Sequence, residues 1–241
     1  MMLKILHNRF CDLLYPRRCA LCDAVLSHSE GRSGFCSFCR GKLKPITEPR
    51  CMKCGAALKE EEEEYCRRCK KHRHEFERGL ALYEYADVCE AIYRMKYSGR
   101  KEYARPLGRE MARRFAPQLR EWGIQALVPI PLFPAKQRRR GYNQAEALAD
   151  AMGEALGIPV ERRLVRRSRN TRPMKLLGDK ERQINLKNAF LCAQDGVKLQ
   201  RVVLVDDIYT TGSTMDAVTG CLKAAGVKEV YFVTLAIGSG V

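Results

Sequence analysis

Long apolar runs are missing from this sequence. Hydrophobic residues make up 46% of the chain, yet nowhere do about 18 of them follow one another, the length that a bilayer-spanning helix requires. The start of the chain also lacks the uninterrupted apolar segment and the small-residue cleavage site of a secretory signal peptide. These absences argue against a membrane-spanning or secreted protein. We expect a cytoplasmic protein that is at most peripheral at the inner face of the membrane.

Acidic residues are few relative to basic ones. The 241 residues include 44 Lys and Arg against 28 Asp and Glu, which gives a formal net charge of +16. Such an excess attracts phosphates, nucleic acid or anionic lipid, so an anionic partner is expected. The length exceeds the roughly 100 to 200 residues of a single domain. We therefore expect two unequal domains, residues 1–75 and residues 76–241.

Cysteine, in contrast, is plentiful and regularly spaced. Eight of the twelve cysteines form Cys-x-x-Cys pairs, with thirteen residues between the first two pairs and eleven between the last two. Without a signal peptide, such pairs favour zinc thiolates over disulfides. The expected zinc ligands are Cys19, Cys22, Cys36, Cys39, Cys51, Cys54, Cys66 and Cys69. Because every position is a thiolate, no position remains for a catalytic water, and both zinc sites are predicted to be structural.

The pairing of these cysteines stays open from the sequence. We expect sequential pairing, but an interleaved arrangement that joins the first pair to the third fits the spacing too. Cys89 and Cys221, on predicted helices, and Cys192 are expected to be ordinary buried thiols, while the role of Cys11 stays open. An apolar stripe before the first pair is expected to dock on the body, with membrane or partner binding as the alternative. Its members are Leu3, Leu6, Phe10, Leu13 and Leu14.

From about Phe76 the chain alternates between strand-like and helix-like stretches. This order is typical of an α/β domain, in which a parallel sheet is covered by helices. The predicted strands are 79–85, 126–130, 160–165 and 202–205. The predicted helices are 87–96, which a capping box of Asp87 and Glu90 would open, 102–115, 143–156 and one that begins near Ser213. A loop is predicted over residues 131–142.

The stretch VVLVDDIYTTGST, residues 202–214, carries the strongest chemical signal. Its apolar start suits a central parallel strand, and Asp206 and Asp207 end that strand. Ligands of open α/β sheets bind beyond the carboxyl ends of strands, so these carboxylates are expected to accept hydrogen bonds from sugar hydroxyls. The turn that follows offers hydroxyls and backbone N–H groups to an anion at a helix start: Thr210, Thr211, Gly212, Ser213 and Thr214. Together these groups predict a 5-phosphoribosyl ligand.

Two other interpretations of this stretch are weaker. A Walker A phosphate loop is excluded, because no lysine follows the glycine in the Gly-x-x-x-x-Gly-Lys spacing. The acids could also serve only to end the strand and to cap the next helix, as in many doubly wound proteins.

Two basic segments are candidates for contact with an anionic ligand. The first is Lys136, Arg138, Arg139 and Arg140, which would form a cationic clamp on a polyphosphate or else a solvated loop. The second, residues 162–182, has nine basic and two acidic residues, a net charge of 9 − 2 = +7. It would be a mobile loop over a substrate or a patch that follows DNA phosphates. Tyr142 and Trp122 are candidates for stacking on a base, although a lone aromatic more often packs in the core.

These motifs together resemble the ComF family. The stretch 202–214 is similar to the PRPP-binding signature of type I phosphoribosyltransferases, and MKYSGR at 95–100 and VPIPLFPAKQRRRGYNQAEALA at 128–149 follow the family order after the cysteine pairs. The match also includes Thr171, Arg182, Asn185 and Phe190. One departure is Met174, which stands where the family is expected to have glutamine.

The resemblance implies a role in natural transformation: handling of incoming single-stranded DNA together with a competence helicase and a recombination mediator. It implies a double zinc ribbon followed by a phosphoribosyltransferase-like domain that binds PRPP with Mg²⁺. Carried over by position, Asp206 and Asp207 are the ribose-binding and catalytic acids, residues 210–214 hold the 5-phosphate, and Lys136 with residues 138–140 faces pyrophosphate.

Two alternatives belong to other functional classes. A metabolic enzyme would transfer phosphoribose to a nucleobase or amine, but the sequence has no recognisable hood for an acceptor base. An interaction scaffold with a defunct ligand site would have an eroded loop, whereas residues 206–214 keep every chemically useful group.

Overall fold

The computed structural model describes residues 16–168, 189–193 and 198–238. The apolar stripe before the first cysteine pair, Cys11 and the family positions Thr171, Met174, Arg182 and Asn185 lie outside the described residues. No helix within the described ranges is both long and apolar enough to cross a membrane.

A parallel four-stranded sheet forms the centre of the molecule. In chain order the strands are β1 Gly79–Glu84, β2 Ala126–Pro129, β3 Val165–Arg167, β4 Phe190–Cys192, β5 Arg201–Tyr209 and β6 Glu229–Ile237. The main sheet has the order β1-β6-β5-β2, while β3 and β4 form a separate antiparallel pair. The central strands β5 and β6 are buried along most of their length, which explains their nearly continuous β-branched and apolar composition. The predicted α/β class is confirmed.

Helices pack on both faces of this sheet. In chain order, the helices of the described residues are α1 His28–Gly31, α2 Ser37–Lys42, α3 Arg67–Lys71, α4 Tyr85–Tyr97, α5 Ala104–Glu121, α6 Pro134–Arg140, α7 Gln144–Leu156 and α8 Ser213–Ala224. The first three are short helices within the cysteine-rich part of the chain. One apolar cluster lies under α4, α5 and α7, and a second lies under α8 and extends to Cys51 and Cys54.

Three local predictions were wrong. The capping box of Asp87 and Glu90 does not form, because α4 begins earlier, at Tyr85, with Glu84 as a cap that makes no side-chain hydrogen bond. The predicted basic loop contains helix α6, which Pro134 opens and Gly141 ends with a φ of 84°. The strand expected at 160–165 is reduced to one bridge between Val160 and Leu127, and β3 begins only at its end.

The cysteine-rich segment covers the open edge of the sheet. β1 is an edge strand, and its outer backbone groups bond to this segment: the Ile46 N–H donates to Leu82 O (2.9 Å), and the Gly79 N–H donates to Lys53 O (2.8 Å). An uncovered edge strand offers unpaired groups to other chains. The cysteine-rich segment therefore shields the edge of β1 from pairing with another chain.

Candidate functional site

The eight expected zinc ligands form two clusters of sulfur atoms. Within each cluster the four ligand atoms lie within 4.8 Å of one another, and the members are Cys19, Cys22, Cys36 and Cys39 in one and Cys51, Cys54, Cys66 and Cys69 in the other. Sequential pairing is thus confirmed over the interleaved alternative. The sulfurs of Cys22 and Cys36 are 3.7 Å apart, which matches the edge of about 3.8 Å in a tetrahedron with Zn–S bonds of about 2.3 Å. Both sites fit structural zinc.

The two predicted acids lie inside strand β5 rather than after it. Because β5 continues to Tyr209, Asp206 and Asp207 point to opposite faces of the sheet. Asp207 is buried at 3% exposure, and Asp206 is partly buried. The backbone N–H of Asp207 donates to Asp206 Oδ1 at 2.8 Å. The acid pair therefore contributes two carboxylates with different surroundings, rather than two equivalent ligands.

Two side chains from other elements hold the Asp207 carboxylate. The Lys96 ammonium, from α4, forms an ion pair with Oδ2, and Gln144 Nε2, from the first turn of α7, donates to Oδ1 at 3.1 Å. Burial alone would favour neutral Asp207, but Lys96 and the hydrogen bonds outweigh it and lower the pKa of this carboxyl. The same pairing outweighs burial of Lys96 and raises the pKa of its ammonium. Both groups are therefore charged near neutral pH.

The pKa of Asp206 is shifted in the opposite direction from that of Asp207. Burial, and after it the negative charge of Asp207, raise the pKa of Asp206 well above its usual range. Two neighbouring acids with pKa values pushed in opposite directions are frequent at functional sites, because catalysis and ligand binding require such tuning.

The turn after β5 has the form of an anion cradle. Gly212, with a φ of 86°, is the cap of α8, and the Thr211 and Ser213 hydroxyls are 3.0 Å apart. A Cβ on Gly212 would come within 2.7 Å of His74 Cε1 and of Tyr209 Oη, so a larger residue would displace the turn. The first N–H groups of α8 have no acceptor within the helix, so they are available to an anion.

His74 supports this turn from the cysteine-rich side. Its ring is buried, and Nδ1 donates to Asp216 Oδ2, in the first turn of α8, at 2.9 Å. The backbone N–H of Glu75 donates to the other Asp216 oxygen at 2.9 Å. Sequence reasoning missed this contact because His74 and Asp216 are 142 residues apart, and a lone histidine gives no signal of its partner.

The predicted clamp residues lie on α6. Burial, and after it the positive charges of Arg167, Arg140 and Arg139, lower the pKa of Lys136. Lys136, Arg139 and Arg140 share one helix face by their i, i+3 and i+4 spacing, whereas Arg138 faces elsewhere. A cluster of mutually repelling cations is stabilised by a bound polyanion. The position of Arg138 makes it the weakest member of the predicted clamp.

Three further predictions are corrected by burial and bonding. Tyr142 and Trp122 are 7% and 8% exposed, so neither can stack on a base; Trp122 instead stacks on Tyr231 at 4.5 Å. Cys192 and Cys221, expected as separate thiols, are joined in a disulfide with a Cα–Cα distance of 5.9 Å.

Lys96 is the principal residue that sequence reasoning left without a role. We expect Lys96→Met to lower the free energy of unfolding by about 3 kcal/mol, because it leaves the buried Asp207 carboxylate without its cation. The pKa of Asp207 should rise, since burial then dominates. Urea unfolding and NMR titration measure the two effects. Lys101→Met, which removes an exposed lysine, is the matched control, and equal stability of the two variants would contradict this account.

Comparisons with known proteins match both parts of the chain. A model described as a double zinc ribbon domain matches residues 10–70, and one described as a phosphoribosyl transferase domain matches residues 105–239. Competence protein F of Haemophilus influenzae is 32% identical over 219 residues, which are 88% of this chain and 93% of that protein. DNA utilization protein YhgH of Escherichia coli is 30% identical, with 90% and 96% covered. Competence protein ComFC of Bacillus subtilis is 29% identical, with 88% and 92% covered.

Proposed function

The chain belongs to the ComF family, and on that premise we propose that it binds PRPP with Mg²⁺ and single-stranded DNA during natural transformation. The relatives' names associate them with competence and with DNA use, and the excess of basic residues suits both anionic ligands. A competence helicase and a recombination mediator remain the proposed protein partners.

One observation carries the proposal for PRPP. Asp206 and Asp207 lie near the carboxyl end of β5, and the Gly212 cap of α8 follows that strand after only two residues. The Asp206 carboxylate, the less buried of the two, can accept hydrogen bonds from the ribose hydroxyls, while the first N–H groups of α8 bind the 5-phosphate. Few other ligands need sugar-binding acids and a phosphate cradle at this spacing.

The pyrophosphate end of PRPP fits the cations of α6. Lys136, Arg139 and Arg140 stand together on one face of that helix. Mg²⁺ prefers one or two carboxylates together with substrate phosphates, so it would enter with pyrophosphate. Of the two acids of β5, Asp206 is the one that forms no ion pair with a lysine among the described residues, and it would contact the ion. Bound Mg²⁺ would supply charge neutralisation on pyrophosphate. The protein's own residues orient the two ends of the ligand.

Calorimetric titration with PRPP and Mg²⁺, with and without a single-stranded oligonucleotide, tests the proposal. Saturable PRPP binding is expected, and competition by DNA would show that the two ligands share cations. No PRPP binding by the wild-type protein would exclude the phosphoribosyl site and leave a DNA-handling scaffold. Release of pyrophosphate on addition of a nucleobase or amine would favour the alternative, a metabolic phosphoribosyltransferase.

The affinity for PRPP should also depend on pH. The pKa of Asp206 is raised, first by burial and then by Asp207, and only the ionised form is a full acceptor for ribose hydroxyls. Affinity should therefore increase as pH rises through that pKa. Because PRPP phosphates titrate as well, the pH profile of Asp206→Asn is subtracted as the control. Identical profiles for the two proteins would show that Asp206 is not the titrating group.

A further inference from the structure

Helix α4 exposes two tyrosines that the proposed PRPP site does not use. Its buried face consists of Val88, Ala91, Ile92 and Met95. Tyr93 and Tyr97 lie outside this face and are 60% and 56% exposed. They are one helical turn apart, so their rings meet, with centroids 5.0 Å apart and planes at 47°. We refer to Tyr93 and Tyr97 as the tyrosine pair.

The tyrosine pair is unusual among the exposed large hydrophobic side chains of the described residues. The others are Val25, Phe38, Met52, Tyr65 and Leu191, and none of them forms a ring contact with another exposed aromatic residue in that part of the chain. Leaving two adjacent rings in water forgoes the free energy that their burial would contribute. A ligand with flat apolar faces would recover it.

The surroundings of the tyrosine pair are cationic. The Arg140 guanidinium lies 5.7 Å from the centroid of the Tyr97 ring. Residues 93–101, YRMKYSGRK, include four basic residues and no acidic one. Three of the four are paired with acids from elsewhere: Arg94 with Glu90, Lys96 with Asp207 and Arg100 with Glu102. Lys101 is exposed and, like Arg140, forms no ion pair among the described residues, so these two cations are the ones available to phosphates. A surface that combines aromatic rings with cations suits single-stranded nucleic acid, whose bases stack while its phosphates pair. Protein interfaces are enriched in tyrosine and arginine as well, but they are depleted in lysine, and Lys101 is exposed here.

The tyrosine pair is also connected to the proposed PRPP site. Arg140, beside Tyr97, donates from Nη1 to Gln144 Oε1. Gln144 in turn donates to Asp207 Oδ1 at 3.1 Å. A strand that occupies the pair would therefore reach the same arginine that the PRPP site offers to pyrophosphate.

We propose that the tyrosine pair is a stacking platform for bases of single-stranded nucleic acid, with Arg140 at its edge contacting the backbone phosphate. This inference rests on the proposed binding of single-stranded DNA and identifies the surface that performs it. Stacking accepts any base, so the platform would hold incoming DNA without regard to sequence.

Fluorescence anisotropy with a labelled oligothymidine tests the platform. Tyr93→Ala with Tyr97→Ala should weaken binding by at least about tenfold, because each stacked base contributes about 1–3 kcal/mol. Tyr93→Phe with Tyr97→Phe keeps both rings and should bind nearly as the wild type does. Tyr65→Ala removes an exposed tyrosine from the cysteine-rich segment and is the matched control. Unchanged zinc content and melting temperature would show that the variants are folded.

Two further measurements separate stacking from charge. An oligonucleotide of abasic sites has the phosphates without the bases. The wild type should therefore bind this ligand no more tightly than the alanine variant does. The slope of log affinity against log salt should stay constant in the alanine variant but fall by about 0.7 in Arg140→Gln, which removes one phosphate contact.

The possible results distinguish failure of the platform alone from failure of DNA binding as a whole. Wild-type affinity in the alanine variant, equal losses in the alanine and phenylalanine variants, or an equal loss in Tyr65→Ala would each overturn the platform while leaving DNA binding intact. No binding of the oligonucleotide by the wild type would reject the proposed DNA function and the platform together. PRPP titration of the same preparations reports separately on the phosphoribosyl site.

Discussion

Replacing Asp206 and Asp207 together by alanine is expected to abolish measurable PRPP binding while the protein keeps both zinc ions. Two hydrogen bonds from ribose hydroxyls to the Asp206 carboxylate contribute about 1.5–3 kcal/mol each, so their loss corresponds to about 100-fold or more in affinity. Calorimetry measures PRPP binding, and a colorimetric indicator measures the zinc that a thiol reagent releases from the protein. Loss of zinc in this variant would show that the proposed division into domains at about residue 75 is wrong.

The single variants separate ligand binding from stability. Asp207→Ala leaves the Lys96 ammonium without its partner in a largely buried place, so it should lower the free energy of unfolding by about 3 kcal/mol. Asp206→Asn should leave stability unchanged or higher, because it removes a buried negative charge beside Asp207. It should still weaken PRPP binding, since an amide is a poorer partner for ribose hydroxyls. A functional acid commonly costs stability in this way.

The pH dependence of stability gives an independent check on Asp206. Its pKa is raised in the folded protein, first by burial and then by Asp207. Its contribution to stability is therefore fully present below the unfolded-state pKa of about 3.9 and is lost as pH rises through the folded-state pKa. The stability advantage of Asp206→Asn should grow over that window and then remain constant. An advantage that does not change with pH would contradict the raised pKa.

Local patterns predicted much of this architecture. The cysteine spacing led to both zinc sites, and the apolar run at 202–205 led to the central strand, because each signal lies within a few residues of its consequence. The prediction that Asp206 and Asp207 end the strand was less accurate. Strand pairing with β6 extends β5 to Tyr209, which the sequence of one strand does not show.

The features that sequence reasoning missed depend on distant parts of the chain. Lys96 reaches Asp207 only because α4 packs on β1 and β6, the latter being the neighbour of β5 in the sheet. The tyrosine pair could have been found from the helical spacing of the buried residues, since Tyr93 and Tyr97 lie outside the stripe that they define. Residues 134–140 were predicted as a loop because Pro131 and Pro134 stand at the start of this segment, although Pro134 is well suited to the first position of a helix.

Removing the second zinc site should impair PRPP binding more than removing the first. Cys51 and Cys54 belong to the same apolar cluster as Tyr209, the last residue of β5. Arg68, between the ligands Cys66 and Cys69, donates to Gly238 O at 3.1 Å. This module therefore supports the turn that forms the proposed phosphate cradle, whereas Cys19 and Cys39 pack in the other cluster.

We expect Cys54→Ser with Cys66→Ser to lose one zinc ion per chain and to weaken PRPP binding at least about tenfold, because a cradle of N–H groups acts only while it is held in place. Structural zinc contributes on the order of 10 kcal/mol to a module of this size, so its loss should unfold the module. The matched variant, Cys22→Ser with Cys36→Ser, should lose the same amount of zinc with a smaller effect on PRPP.

His74→Ala distinguishes zinc from the contacts that follow it. The histidine is not a member of either sulfur cluster, so the variant should retain both zinc ions. It removes the hydrogen bond to Asp216 beneath α8, and its PRPP affinity should fall between those of the wild type and the second-site variant. Equal PRPP binding by the two double-cysteine variants would show that the second zinc module has no special connection to the phosphate cradle.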